Sequence, residues 1–308
     1  MKKMSRGLLL LVTLAPLLAV ADVNVGDLPE DTIWYLHADL EAMRDGEAGS
    51  KLYAWFEDEV VDDVREEVGI DIGKEIESLT AFADLQDGTV IIANGPMAKD
   101  TQDKLLALAA QQGPVDPREY KGKTYYFFGD EDDPGESGGK FLEDLEDSVF
   151  VSFAVQGKAL VTGTEAQMQA LLDNKGKVSG PGSHDGALLV LTANKALVQA
   201  GMQTDALADE DDDDWDSNIL RNTREVALLV ADKSGQLAIE AQLQSTDPKM
   251  AQALGAIVNG LIGLQAFNSE LEPGLQNLIR HTRVEVLENV LSISTLIDPN
   301  LVVTILDE

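Results

Sequence analysis

ESLTAFADLQDGTVIIAN, residues 77–94, sets the plan of the chain. Residues 78–84 have the apolar content of a strand, Asp87-Gly88 supplies the positive φ values that a tight turn between twisted strands requires, and residues 89–94 return as a second strand. A helix then opens at Asp100. The plan recurs in EVALLVADKSGQLAIEAQLQ, residues 225–244, as a strand over 225–232, a turn at Ser234-Gly235, a strand over 236–244 and a helix opening at Asp247-Pro248. Gly88 and Gly235 keep the same separation as Asp100 and Asp247. Two copies of one supersecondary unit at constant spacing read as a tandem duplication.

Upstream of the first hairpin, residues 32–37 read as a strand. From Ser50 the apolar positions Leu52, Tyr53, Phe56, Val60, Val61, Val64 and Val68 recur at helical steps, with Ser50 as cap, Gly69 as stop and a loop over 70–75. Downstream, the Asp100 helix stops at Gly113, and residues 120–128 form an aromatic strand that begins around Lys121-Gly122-Lys123. An acidic loop over 129–139 follows, then a hairpin over 149–155 and 159–162 that turns at Gly157-Lys158. Thr164-Glu-Ala-Gln167 is a capping-box pattern opening a helix that ends near Gly176.

Residues 178–186, with Gly180, Pro181, Gly182 and Gly186, read as a linker. The second half starts with a strand over 187–192, a short helix over 195–200, an acidic run over 205–216 and a helical piece over 215–221. Across the second hairpin Leu237, Ile239, Ala241 and Leu243 alternate with Gln236, Glu240, Gln242 and Gln244, the pattern of an antiparallel sheet covered on one side. A helix over 247–267, a piece over 273–281, a hairpin over 283–297 and a helix capped by Asp298-Pro299 close the chain. The fold class expected is α+β: two tandem related modules, 22–177 and 187–308, each an antiparallel sheet with helices packed on one face.

Residues 1–21 have the three parts of a secretory signal: Lys2, Lys3 and Arg6, an apolar run over 8–20, and Ala19-Val20-Ala21 as a small-x-small cleavage site. Cleavage after Ala21 is expected, followed by a periplasmic or secreted bacterial protein. The apolar run, broken by Thr13 and Pro16, falls short of the roughly 20 residues a spanning helix needs, and no later segment is apolar enough to span. The chain has no Cys, so disulfides and thiol chemistry are excluded and apolar burial must hold the fold. Its net charge of −32 repels phosphate backbones and anionic membrane surfaces, which argues against nucleic acid as a partner.

No catalytic pattern survives inspection. The three His, His37, His184 and His281, have no second His at a ligand spacing, and adjacent Ser183-His184-Asp185 cannot converge as a triad must. Phosphate-binding and dinucleotide loops are absent, so no cofactor is expected. An EF-hand pattern laid on Asp130 meets Pro134 at its fifth place and Phe141 at its twelfth, and the 209–216 run lacks the turn glycine; weak, loose cation binding is the most these loops support. The unusual element is the helix over 248–267. Leu254, Ile257, Val258, Leu261, Ile262 and Leu264 form a broad apolar face, while Gly255, Gly260 and Gly263 each cost about 0.5–1 kcal/mol of helix stability against Ala and permit close approach. It reads either as the core helix of the second half or as a groove for a ligand or partner, built by Leu254, Val258, Gly260, Leu261 and Leu264.

The IDIGKEIESL approach at 70–79, GTVII from Gly88, YKGKTYY from Tyr120 and GKALVTG from Gly157 resemble a loose group of uncharacterised secreted bacterial proteins. The resemblance implies two related α+β modules and transfers no functional residue. The function expected is an exported, non-catalytic protein that binds an envelope partner or ligand. A periplasmic carrier or sensor of a hydrophobic ligand, and a hydrolase whose site is assembled from scattered acids, are the alternatives.

Overall fold

The computed structural model describes residues 32–62, 65–66, 69–84, 88–112, 114–129, 148–178, 187–195, 197, 222–265 and 273–306. The expected signal segment, the acidic loops, the linker (Val178 apart), the 195–200 and 215–221 helices (Lys195 and Leu197 apart), Gly113, Asp87 and His184 lie outside the described residues. The strands are β1 (Thr32–Asp39), β2 (Ser78–Asp84), β3 (Gly88–Asn94), β4 (Val115–Tyr120), β5 (Lys123–Gly129), β6 (Ser148–Ser152), β7 (Lys158–Thr162), β8 (Ala187–Asn194), β9 (Thr223–Lys233), β10 (Gln236–Ser245), β11 (Arg283–Leu287) and β12 (Val290–Ile297). The helices are α1 (Leu40–Asp45), α2 (Gly49–Phe56, running on as a π-helical turn over Glu57–Val61), α3 (Ile72–Glu75), α4 (Lys99–Gln112), α5 (Glu165–Asp173), α6 (Pro248–Gln265), α7 (Pro273–His281) and α8 (Pro299–Leu306).

The strands join one 12-stranded sheet in the order β11-β12-β10-β9-β8-β1-β2-β3-β7-β6-β5-β4. All neighbours are antiparallel. The fold is therefore α+β, and the strands of the two halves are continuous through the β1–β8 pairing, where Tyr35 lies opposite Thr192 and His37 opposite Val190. Read outward from that seam, β1-β2-β3-β7-β6 and β8-β9-β10-β12-β11 have the same order: a three-strand meander, then a hairpin whose second strand returns beside the third. The first half adds β5 and β4 at its outer edge.

Strand alternation sorts apolar side chains onto two faces. Tyr35, Phe82, Ile92, Leu160, Val190 and Leu229 share one cluster with Met168, Leu171 and Leu172 of α5. Val230, next to Leu229 and so on the other face, shares a second cluster with Leu237, Ile297, Leu40, Met43 and Tyr53, and Leu278 and Leu301 pack against it. Met168 and Leu172 are fully buried, and such side chains each contribute about 1.5–3 kcal/mol by leaving water. Helices thus lie on both faces of the joint sheet: α5 packs with strands of the first half on one face, and α7 and α8 pack with strands of the second half on the other. Moreover, α1 and α2 come from the first half but pack over strands of the second. Sequence cannot assign a helix to a face when the sheet on either side offers apolar side chains.

Local signals place most turns. Ser234 (φ 54°) and Gly235 (φ 80°) make the tight turn between β9 and β10. At the end of α5 the Gly176 N–H reaches the Leu171 carbonyl at 2.7 Å and Lys175 N–H the Leu172 carbonyl at 3.4 Å, the paired bonds of a Schellman stop. Thr164 caps α5 by accepting from the Gln167 N–H at 3.3 Å, while the Gln167 side chain accepts from the Thr164 hydroxyl at 3.4 Å and donates its amide to the Gly88 carbonyl at 3.3 Å, a variant of the expected capping box.

Five expectations are corrected. A separate helix, α1, precedes the one expected from Ser50, with Asp39 as its cap. Ser50 lies inside α2, whose first amides, Ala48 N–H and Gly49 N–H, donate to the Asp232 carboxylate at 2.6 and 3.2 Å. Asp100 lies in the first turn of α4; Glu75 serves the start of that helix, accepting from Ala98 N–H at 2.9 Å and Thr101 Oγ1 at 2.6 Å. Residues 72–75 are helical, and residues 115–120 form a strand obscured in sequence by Asp116, Pro117, Arg118 and Glu119. The Lys121-Gly122 turn makes Tyr120 and Lys123 a bonded pair, so by alternation Pro117 turns its nitrogen away from β5. There its missing N–H costs no ladder bond, and it blocks further pairing at the edge.

Candidate functional site

Helix α6 starts in the way its sequence dictates. Asp247 accepts from Lys249 N–H at 2.9 Å, and Pro248 occupies a first-turn position that needs no N–H. Its first half is seated against β11 and β12: Ala251 is buried, Leu254 is 7% exposed, and a Cβ placed on Gly255 would lie 2.5 Å from Val286 Cγ2. Asn259 folds its amide onto the Gly255 carbonyl at 2.9 Å. Its second half is different. Ile257 is 40% exposed, Leu261 56% and Leu264 71%, at spacings that put them on one helical face.

The five residues expected to build a groove therefore divide. Leu254 belongs to the core, Val258 is half-buried, and Gly260, Leu261 and Leu264 face solvent. Among the described residues, the helix's own backbone and the chain neighbours apart, no atom lies within 4 Å of a Cβ built on Gly260 or on Gly263, and the close approach expected at Gly260 occurs at Gly255 instead. The helix is core at one end and an open apolar strip at the other, joining the two readings its sequence allowed.

A second concavity, of about 710 Å³, lies between α7 and α8. Leu278, Ile297 and Leu301 provide apolar lining, and Asn277, Arg280 and Asn300 provide polar lining. Its size suits a small molecule. Asn300 is turned inward on the Asp298 carboxylate at 2.8 Å as part of the α8 cap, which occupies one of its amide hydrogens. Sequence reasoning found both helices and missed the space between them, since a cleft depends on how two elements are placed.

Among the described residues, Arg280 and Asp298 are the titratable groups that line the concavity, and neither His37 nor His281 is among its lining residues. His37 is buried in the middle of the sheet with Nδ1 2.9 Å from Thr80 Oγ1, and His281 sits at the exposed end of α7 with Nδ1 donating to the Asn277 carbonyl at 2.8 Å. Burial pushes the Tyr35 phenol up to about 12 against a hydrogen bond from Thr80 that lowers it, so it stays neutral. Glu225, on β9 opposite Asn194 and Gln244, is pushed up to about 7 by burial, with Arg224 opposing the shift. Among the described residues no group of three or more His, Cys, Asp or Glu is placed to hold a metal ion, and no helix is long and apolar enough to cross a membrane.

Comparison with known protein families and with curated proteins finds no match. Among solved structures, three crystal forms of TP0453 align over most of the chain. Form III does so with a TM-score of 0.49 at 9% identity, covering 92% of this chain and 96% of that one. Form I gives 0.47 at 11% identity, with 92% and 95% covered. Form IV gives 0.45 at 10% identity, with 94% and 98% covered.

Proposed function

We propose that this chain is an exported bacterial protein which loses residues 1–21 and acts without catalysis, binding an envelope protein through the outward strip of α6. The observation that carries the reading is the course of one helix face from Leu254, in the core, to Leu261 and Leu264, in water. Burying two leucine side chains on a partner would contribute about 1.5–3 kcal/mol each, which is ample reason for a partner to cover them. The signal pattern of Lys2, Lys3, the apolar run and Ala19-Val20-Ala21 supports export. The shared order of β1-β2-β3-β7-β6 and β8-β9-β10-β12-β11 supports descent of the two halves from a tandem duplication.

The test is a photo-crosslinking side chain at position 264 in the chain's own cells. A single dominant envelope protein should be captured, and Leu261→Asp should abolish capture while the melting temperature holds, because position 261 is exposed. If capture is diffuse, or Leu261→Asp leaves it intact, the strip is not a binding site. N-terminal sequencing of exported protein should read from Asp22; an intact Met1 would contradict export by cleavage.

A further inference from the structure

The two outer edges of the sheet are unlike. At one end β4 is closed to pairing by Pro117. At the other, β11 reads Arg283-Val-Glu-Val-Leu287 with no proline, and Leu287 at its end is 78% exposed. The two-residue turn Glu288-Asn289 makes Leu287 and Val290 a bonded pair. By alternation Arg283, Glu285 and Leu287 turn their N–H and C=O groups to β12, and Val284 and Val286 turn theirs outward. Among the described residues no strand takes up those outward groups. An open edge of this kind is a template for one more strand.

We propose that β11 pairs antiparallel with β11 of a second copy of this chain, about a two-fold axis at Val284, making a homodimer with a sheet continuous across both copies. Charge selects both the occupant and the register. With the axis at Val284, Arg283 of each copy lies opposite Glu285 of the other, giving two ion pairs on one face, and the Val284 N–H and C=O groups of the copies bond reciprocally. Centring on Glu285 would set the two glutamates against each other, and centring on Val286 would set Glu285 opposite Leu287. Arg283 and Glu285 are both exposed. The repulsion between two chains of net charge −32 is screened beyond about 8 Å at physiological salt, whereas the cross-strand pairs act at contact.

The arrangement has a consequence for α6. That helix sits on β11 through Gly255 and Val286, and the axis stands normal to the sheet. The two α6 helices therefore flank the seam on the same face, and a dimer displays two apolar strips together. The pairing itself needs nothing from those strips, so dimer formation and partner capture are separate measurements.

Sedimentation equilibrium of the chain recovered from its own cells, at physiological salt, should show reversible dimerisation. Val284→Pro removes one outward N–H and should leave a monomer. Glu285→Arg sets arginine opposite arginine twice and should weaken association about tenfold, and adding Arg283→Glu to it should restore the wild-type strength. A wild-type chain that is monomeric at every concentration reached, or a dimer whose strength is unchanged in Glu285→Arg, overturns the proposal. If Val284→Pro does not fold, the charge reversal and its rescue decide the matter alone.

Discussion

Two glycines on one helix carry opposite loads. Gly255 is where α6 meets Val286, so a methyl group there has to displace the valine or lift the helix. Around Gly260 the described residues leave open space for the added methyl. We expect Gly255→Ala to destabilise the chain by about 1–3 kcal/mol through overpacking, and Gly260→Ala to stabilise it by about 0.5–1 kcal/mol through helix propensity. Chemical denaturation of the two variants checks the signs; equal signs would show that α6 is seated differently. Glu225, on β9, carries a load of a different kind. Its carboxyl is raised from 4.5 to about 7 by burial, so the folded chain holds the proton more tightly than the unfolded one. Stability from this group is full below 4.5 and is lost as pH rises through about 7. Glu225→Gln, which mimics the protonated acid, should therefore raise the melting temperature above that window and change little below it. Melting curves across the window test this, and a gain confined to acid pH would reverse the sign.

At the scale of elements, helix starts show how far local reading reaches. Asp39, Thr164, Asp247 and Asp298 cap the helices that follow them directly, as short polar residues before helical patterns should. The starts of α2 and α4 are served instead by Asp232 and Glu75, neither adjacent in sequence to the helix it serves. Asp232 also accepts from Gly235 N–H at 3.3 Å, tying the β9–β10 turn to the start of α2. We expect Asp232→Ala to cost about 0.5–2 kcal/mol, the usual loss of a cap, with Asp232→Asn recovering most of it because an amide oxygen still accepts. Denaturant midpoints of the pair measure this. If alanine and asparagine cost the same, the contribution of Asp232 is not one of accepting hydrogen bonds.

For the whole molecule the β1–β8 pairing is decisive. Val190 is fully buried at that seam, and α1 and α2 lie over strands from beyond it. The halves share core, so calorimetry should show one unfolding transition rather than two. Val190→Ala should lower that single transition, leaving a cavity that costs on the order of 1–3 kcal/mol. Two transitions, of which only one responds, would mean that the halves fold independently.

Signals carried by neighbouring residues were enough to determine a good part of this protein. The turn at Ser234-Gly235, the end of α5 at Gly176, the hairpins β2–β3 and β9–β10, the extent of α7 and the starts of α6 and α8 follow from glycine φ preferences, caps and apolar periodicity, all of which act over a few residues. The α+β class follows from the order of those elements. Only tertiary structure decided that the two halves' strands form one sheet, that α5 and α1 lie on opposite faces, that a carboxylate from β9 caps α2, and that the apolar face of α6 is core at Leu254 and solvent at Leu264. β4 stayed hidden because Pro117 and its charged neighbours fit a strand only when it is an edge. In each case the deciding contact joins residues far apart in the chain, and its energy depends on what the rest of the fold brings there.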